Sequence, residues 1–247
     1  FLTTMMSYSY LPKNISDEEF LDIKIDWLIE NKKGNVLEKF LEKNLEFHNK
    51  KKVIQYLVDS NIANANLKLG CEKASFISKE IKDPYLEKFK IYCLVYNNKK
   101  NQAQLLYDIL KEQNQSDKFF DDKINFLLGI SEKMNTGIKD DNLLNFYLSS
   151  VTVKDFKYEP TAKTKKSIWE YLNSADLITI DNVEDKKKIG DLELAANENR
   201  LEKNKIFDIY KKFQFDLDTL VEAKESLRKL DNIESRALIY QKYLLSD

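Results

Sequence analysis

Apolar residues recur every three or four positions along most of the chain, the spacing that places them on one face of an α-helix. The first such run follows Ser16 and Glu19, a pair that satisfies two free backbone N–H groups where a helix begins. Breaks at Gly34 and Asn49 separate it from two further runs, and Asn35 is the expected N-cap of the second. The pattern therefore predicts antiparallel helices joined by short loops.

The apolar face between Ile62 and Ile81 consists mainly of small residues, and one helix is predicted across this range. Asp83 and Pro84 end it, because the residue before a proline avoids the α conformation and proline suits a first helical turn. The next helix, which ends near Tyr96, carries large aromatic residues at helical spacing. We expect the small face to pack against the large one.

About a dozen helices follow from this periodicity, in pairs of roughly 30 to 45 residues. Each pair could bury its apolar face only by stacking on the next pair. The predicted fold is therefore all-α, with antiparallel helical hairpins stacked as an irregular α-solenoid, similar to a tetratricopeptide (TPR) superhelix. A compact, irregular bundle is the structural alternative, because no strict tetratricopeptide signature is present.

Changes in the pattern divide the chain into four parts. They are an extended N-terminal segment (1–16), an N-terminal helical-repeat part (17–130), a loop-rich connection with a short helix (131–163) and a C-terminal helical part (164–247). In the last part, the apolar positions expected to face inward include Leu217, Val221, Tyr243 and Leu244.

Composition supports the helical interpretation, because only five glycines and three prolines interrupt 247 residues. Forty basic and forty-one acidic residues leave a net charge of −1, so no overall field attracts nucleic acid or an anionic membrane. The basic runs 50–52 and 186–188 are interpreted as exposed helix faces. No apolar run reaches the roughly 18 residues of a membrane span. We therefore predict neither nucleic-acid binding nor a membrane span.

Cys71 and Cys93 are the only cysteines. A turn at Lys82 and Asp83 would put both about 16 Å from the turn, level with each other on neighbouring helices. Facing Cα atoms would then lie within the roughly 4.4–6.8 Å that a disulfide needs. We expect a disulfide and an oxidising compartment such as a bacterial periplasm, with two buried free thiols as the alternative. The chain begins with Phe1 rather than Met. We therefore expect either that it follows a removed signal segment or that it was trimmed.

No pattern of residues points to catalysis. The only histidine, His48, stands beside Phe47 and is interpreted as a residue at a helix end that interacts with the helix dipole. Metal-ligand spacings, phosphate-binding loops and a nucleophile elbow are absent from the sequence. We predict a non-enzymatic protein with no catalytic residue, no cofactor and no metal site.

Three segments resemble a family of alphaproteobacterial secreted helical-repeat proteins that are often labelled antifreeze glycopeptide polyprotein. They are YLEKFKIYC, which ends at Cys93, then AQLLYDILKEQNQSDKFF (103–120) and RALIYQKYL (236–244). The resemblance extends over most of 17–247, although this chain is rich in Lys and Asn where such proteins are rich in Ala. It implies a periplasmic helical scaffold with no established reaction. More distantly, the chain is similar to the helical superstructure of soluble lytic transglycosylases, without a lysozyme-like catalytic domain.

The leading hypothesis is a helical-repeat scaffold or adaptor that binds a protein or cell-envelope partner in the periplasm. Most of the thirteen Tyr and fourteen Phe residues are assigned to the core, and the remainder could line a groove for a peptide or glycan. One alternative is an accessory helical domain of a cell-wall (peptidoglycan) enzyme. A second is a cytosolic TPR-like adaptor with reduced cysteines.

Overall fold

The computed structural model describes residues 13–44, 46–78, 81–161, 163–178 and 182–245. These residues form α-helices and one 3-10 turn, with no β-strand in the described ranges, so the prediction of an all-α fold is confirmed. The helices are α1 (Asp17–Glu30), α2 (Gly34–Lys43), α3 (Lys50–Ala63), α4 (Leu67–Lys73), α5 (Pro84–Tyr96), α6 (Lys100–Glu112), α7 (Lys118–Leu128), α8 (Leu143–Thr152), α9 (Lys166–Ser174), α10 (Lys186–Asn197), α11 (Lys203–Tyr210), α12 (Leu217–Val221), α13 (Ala223–Ser226) and α14 (Asn232–Leu244). Within the described ranges, no helix is long and apolar enough to cross a membrane.

The chain divides into two compact units, the first ending at Phe156 and the second beginning at Lys157. Residues 131–163, expected as a separate connection, are shared between them. Helix α8 belongs to the first unit, where it packs on α3 and α7 with Leu144, Phe146 and Leu148 buried. A helix buried on this many sides has to lie inside a folded unit rather than in a solvated linker.

Several helix boundaries lie where the sequence places them. The backbone N–H of Ser16 donates to Glu19 (2.9 Å), and the N–H of Glu19 donates to the Ser16 hydroxyl (3.2 Å). Asp83 caps α5, whose first residue is proline, and Gly129 ends α7 with a φ of 82°. The prediction that Asn35 is the N-cap of α2 is wrong. The helix begins at Gly34, and its N-cap is Lys33, which makes no side-chain cap hydrogen bond.

The predicted helix from Ile62 to Ile81 is also wrong. Helix α3 stops at Ala63, and Ala65 adopts the left-handed conformation with a φ of 52°. The side chain of Asn66 then accepts the N–H of Leu69 (3.3 Å) and begins α4. Asparagine side chains compete with the helical hydrogen bonds of the backbone, so the chain turns here although the apolar spacing continues.

Packing in the first unit extends beyond consecutive helices. Helix α5 contacts both α6 and α7, and α8 contacts α3, which lies far from it in sequence. The hydroxyl groups of Tyr92 in α5 and Tyr147 in α8 lie 3.0 Å apart. Helices α3, α5 and α8 thus form a common core of this unit, in addition to hairpins between sequence neighbours.

A buried lysine fastens the long loop before α8 to α7. Lys123 is fully buried and its ammonium group donates to the backbone carbonyl of Asn135 (2.6 Å). The Asn135 amide donates to Asp122 (2.8 Å), and the Lys123 nitrogen lies 5.2 Å from the centre of the Phe119 ring. Burial lowers the pKa of Lys123, while the charge of Asp122 opposes this effect.

The core of the second unit is formed mainly by α9, α10, α11 and α14. Four positions predicted to face inward do not: Leu217 and Val221 are 74% and 67% exposed, and Tyr243 and Leu244 are also exposed. The chain breaks at Glu222 between α12 and α13, so neither short helix presents a continuous apolar face. In α14, Ala237 and Leu238 are buried, and Ile233 and Tyr240 are partly buried against the same core.

Candidate functional site

A groove of about 500 Å³ lies on the second unit, between α10, α11 and α14. Its apolar wall includes Leu194, Ile206 and Phe207, and its polar side includes Glu193 and Arg236. A concave surface with mostly apolar walls and a few fixed polar groups is typical of binding sites.

The polar side of the groove is a charged cluster with fixed geometry. The Arg236 guanidinium donates through Nε (3.0 Å) and Nη2 to the two carboxylate oxygens of Glu193. The Tyr210 hydroxyl donates to the same carboxylate, and burial together with Glu193 raises the pKa of Tyr210 to about 12. Tyr210 therefore stays protonated near neutral pH.

An aromatic stack forms part of the apolar wall. Phe207 lies nearly parallel to Tyr240, with ring centres 4.7 Å apart, yet Phe207 remains 37% exposed. Leu194 of α10, which also lines the groove, is exposed as well, and the exposed Lys203 stands where α11 begins. The groove thus offers apolar surface next to positive charge.

A second cavity of about 130 Å³ also borders Leu194. Trp169, Asp191, Glu198 and Arg200 line it, and Arg200 forms an ion pair with Glu198. Trp169 is only 2% exposed, and its indole nitrogen has no hydrogen-bond partner in the described part of the chain. A buried donor without a partner is rare in folded proteins.

The structure brings the two cysteines together, although not in the expected way. Cys71 in α4 and Cys93 in α5 have Cα atoms 5.3 Å apart and sulfur atoms 2.11 Å apart. Because α4 is short, their proximity does not come from two long helices in register. Gly70 contributes instead, since a Cβ there would lie 3.3 Å from Asn61 and 3.4 Å from Phe89, so a larger residue would crowd both.

His48 does not occupy the expected helix end. It lies in the turn just before the N-terminus of α3. The helix dipole disfavours a positive charge at this end of a helix, so the predicted favourable contact between His48 and a helix dipole is wrong. Its Nδ1 atom is 3.7 Å from a carboxylate oxygen of Asp22, and its side chain is 68% exposed. Among the described residues, no group of three or more His, Cys, Asp or Glu could hold a metal ion. The absence of catalysis stays a prediction.

The basic runs contact acidic side chains. Lys51 pairs with Asp83 (2.6 Å), Lys186 with Glu234 (2.8 Å), and Lys52 with Asp26. These lysines therefore link neighbouring helices. The interpretation of the basic runs as exposed helix faces did not predict these ion pairs. The prediction that the protein does not bind nucleic acid stays a prediction.

Sequence reasoning did not find the groove or the cavity beside Trp169. Glu193 and Arg236 are 43 positions apart and belong to no local motif. Trp169 lies buried in α9, but apolar periodicity carries no information on its indole N–H. The segment 236–244, which carries part of the family resemblance, includes Arg236 but gives no sign of a groove.

Comparison with known proteins found no relative: no family model, no curated protein and no solved structure matches the chain.

Proposed function

We propose that this protein is a non-enzymatic binding module, and that the groove of its second unit holds an apolar segment of a protein partner. The observation that carries this proposal is the exposure of Phe207 and Leu194 beside the fixed Glu193–Arg236 ion pair. Aromatic and arginine residues in concave surfaces contribute most of the binding energy of many protein interfaces.

The charges of the groove favour an acidic residue in the partner segment. Glu193 is only 12% exposed and is already bound by Arg236, whereas Lys203 is exposed at the rim. The ligand therefore meets a positive rim next to an apolar wall. An apolar side chain packed against Phe207 would contribute about 1.5–3 kcal/mol, and a nearby carboxylate would add charge complementarity.

We also propose that the protein acts in the periplasm. The Cys71–Cys93 pair supports an oxidising compartment, and the resemblance to secreted helical-repeat proteins favours the same location. Thiol counting on protein isolated from its native source, under denaturing and non-reducing conditions, tests this proposal. No free thiol is expected, and two free thiols would favour the cytosolic adaptor.

The groove can be tested with peptides displayed as a random library and selected on the purified protein. We expect the selected peptides to carry a large apolar residue near an acidic one. Phe207→Ala should raise their dissociation constant at least about tenfold, because the main apolar contact is lost. Isothermal titration calorimetry measures this change.

Leu105→Ala is the matched control, since Leu105 is an exposed apolar residue of the first unit. Equal binding of these peptides by wild type and Phe207→Ala would refute the proposal that the groove is their binding site. Co-sedimentation with isolated peptidoglycan is the second arm. If the protein binds peptidoglycan and Phe207→Ala does not weaken this binding, the result would favour a function as an accessory domain of a cell-wall enzyme.

A further inference from the structure

The turn between α6 and α7 carries an Asn-x-Ser triplet, the acceptor pattern for an N-linked glycan. Asn114, Gln115 and Ser116 form this triplet. An acceptor of this kind lies on the surface of a protein that enters a secretory compartment. A second triplet of the same form spans 14–16, and the chain contains no other Asn-x-Ser or Asn-x-Thr. The pattern alone does not separate the two triplets, so their structural settings decide between them.

Asn114 is exposed just after the end of α6. Its backbone adopts the left-handed conformation with a φ of 54°, and its N–H donates to the carbonyl of Lys111 (2.9 Å). Its side chain makes no hydrogen bond with the described residues. The side-chain amide can therefore enter an enzyme without breaking a contact of the folded unit.

The hydroxyl group that the pattern requires two positions later can also be released at this turn. Ser116 donates to Asp121 (2.5 Å), but the cap of α7 is Asp117, whose carboxylate accepts two backbone N–H groups. In the other triplet, Ser16 itself caps α1, because its hydroxyl accepts the N–H of Glu19 (3.2 Å) and donates to the Glu19 carboxylate (3.0 Å). An enzyme that binds the Ser16 hydroxyl would break this cap, whereas one that binds Ser116 leaves the cap of α7 in place.

We propose that Asn114 carries an N-linked oligosaccharide, a step that rests on the proposed periplasmic location. The transfer forms a bond between the amide nitrogen of Asn114 and the anomeric carbon of an oligosaccharide held on a membrane lipid pyrophosphate. The bond between that carbon and the phosphate oxygen breaks, and the lipid pyrophosphate leaves. The amide nitrogen loses one proton, and no oxidant or reductant takes part.

Glu112 favours a bacterial transferase over one of the eukaryotic secretory pathway. It is the exposed last residue of α6 and stands two positions before Asn114. Transferases of bacterial periplasms act on a longer form of the pattern that has an acidic residue at this position, and a carboxylate offers a basic enzyme site a charge-assisted contact. The triplet at 14–16 has Pro12 at the same position. We therefore expect modification of Asn114 and not of Asn14.

Mass spectrometry of tryptic peptides from protein isolated from its native source tests this proposal. Trypsin cleaves after lysine, so the peptide EQNQSDK (112–118) contains Asn114 alone, and NISDEEFLDIK (14–24) contains Asn14 alone. We expect the first peptide to carry the added mass of an oligosaccharide and to release sugar fragments on collision, while the second is unmodified. If peptide 112–118 is found only without added mass, the proposal is overturned.

Matched variants expressed in the native source separate the modification from the fold. Ser116→Thr keeps the hydroxyl and should keep the glycan, whereas Ser116→Ala should lose it although Asn114 is unchanged. Asn114→Asp should also lose the glycan and keep the wild-type circular dichroism spectrum, because aspartate tolerates the left-handed conformation as asparagine does. Added mass that persists on peptide 112–118 in Ser116→Ala would show a different modification and would overturn the proposal.

Glu112→Gln identifies the type of transferase, and loss of the glycan is expected. If the glycan remains and Asn14 is modified as well, the shorter pattern of the eukaryotic secretory pathway applies and the assignment to a periplasmic enzyme is overturned. Thiol counting on the same preparation distinguishes this proposal from the proposed location. Unmodified Asn114 without free thiols refutes the glycan alone, whereas unmodified Asn114 with two free thiols refutes the periplasmic location as well.

Discussion

Reduction of the Cys71–Cys93 disulfide is expected to lower the free energy of unfolding of the first unit by about 3 kcal/mol. The two cysteines are 22 positions apart, and a cross-link across a loop of this length restricts the unfolded chain by about that amount. Cys93 is buried and Cys71 is partly buried, so packing around the pair adds to the effect when the sulfurs separate. Guanidinium unfolding followed by circular dichroism, with and without reductant, measures the difference.

The double variant Cys71→Ala/Cys93→Ala is the control for this prediction. It should unfold at about the same denaturant concentration as the reduced wild type, and added reductant should not change it. The unfolding of the second unit, observed through the Trp169 indole signal, should be the same in all of these proteins. If wild-type unfolding does not respond to reductant, the disulfide does not stabilise the fold and the argument for an oxidising compartment loses its main support.

Features that depend on a few consecutive residues were predicted well. The capping box at Ser16 and Glu19 and the start of α5 at Asp83 and Pro84 are each fixed by contacts within four positions. Apolar periodicity gave the helical class for a similar reason, because it reports which side of a segment is buried.

Competition between local rules explains the wrong boundaries. Apolar positions continue at helical spacing through Asn64 and Asn66, but the side chain of Asn66 caps a new helix and Ala65 turns the chain. Periodicity alone cannot show which tendency prevails, because the outcome depends on how α4 packs on α3. The cysteine pair lies within the Cα distance expected of two facing helices, although α4 is much shorter than the helix predicted for 62–81.

The candidate site could not be predicted from the sequence, since its chemistry comes from tertiary neighbours. Glu193 and Arg236 meet only when α10 and α14 pack in the second unit. The indole N–H of Trp169 becomes informative only through its burial without an acceptor. A sequence shows residue types and spacing, whereas these features are relations between distant residues.

A second large effect is expected at Asp59, an acid of α3 that is partly buried where α3 faces α5 in the first unit. Its carboxylate accepts the hydroxyl of Tyr85 from α5 and a hydrogen bond from Gln55. The Tyr85 oxygen in turn accepts a backbone hydrogen bond from Leu144 in the first turn of α8. Burial raises the pKa of Asp59 to about 6, and the two hydrogen bonds to the carboxylate only partly oppose this effect.

Asp59→Asn is therefore expected to increase the free energy of unfolding at pH 7 by about 2 kcal/mol. An unfolded Asp has a pKa near 3.9, so between about pH 4 and pH 6 the folded state binds more protons at Asp59 than the unfolded state does. This residue consequently makes the wild type less stable as the pH rises through that window, with the full loss above about pH 6. Asparagine keeps an acceptor for Tyr85 without the charge. Urea unfolding of both proteins at pH 4, 5, 6 and 7 should show a difference that grows with pH and then becomes constant.

Tyr85→Phe should lower the free energy of unfolding at pH 7, the opposite of Asp59→Asn. It therefore separates the effect of the Asp59 charge from the effect of its packing. Without the tyrosine hydroxyl, the ionised carboxylate loses a hydrogen bond that lowers its pKa, so the pKa of Asp59 should rise further. The pH-dependent loss of stability should then continue above pH 6, and it should disappear in Asp59→Asn/Tyr85→Phe. If the difference between wild type and Asp59→Asn is the same at pH 4 and pH 7, the substitution acts through packing alone. The chain would then tolerate a buried carboxylate in the shared core of α3, α5 and α8 without the electrostatic cost that its surroundings imply.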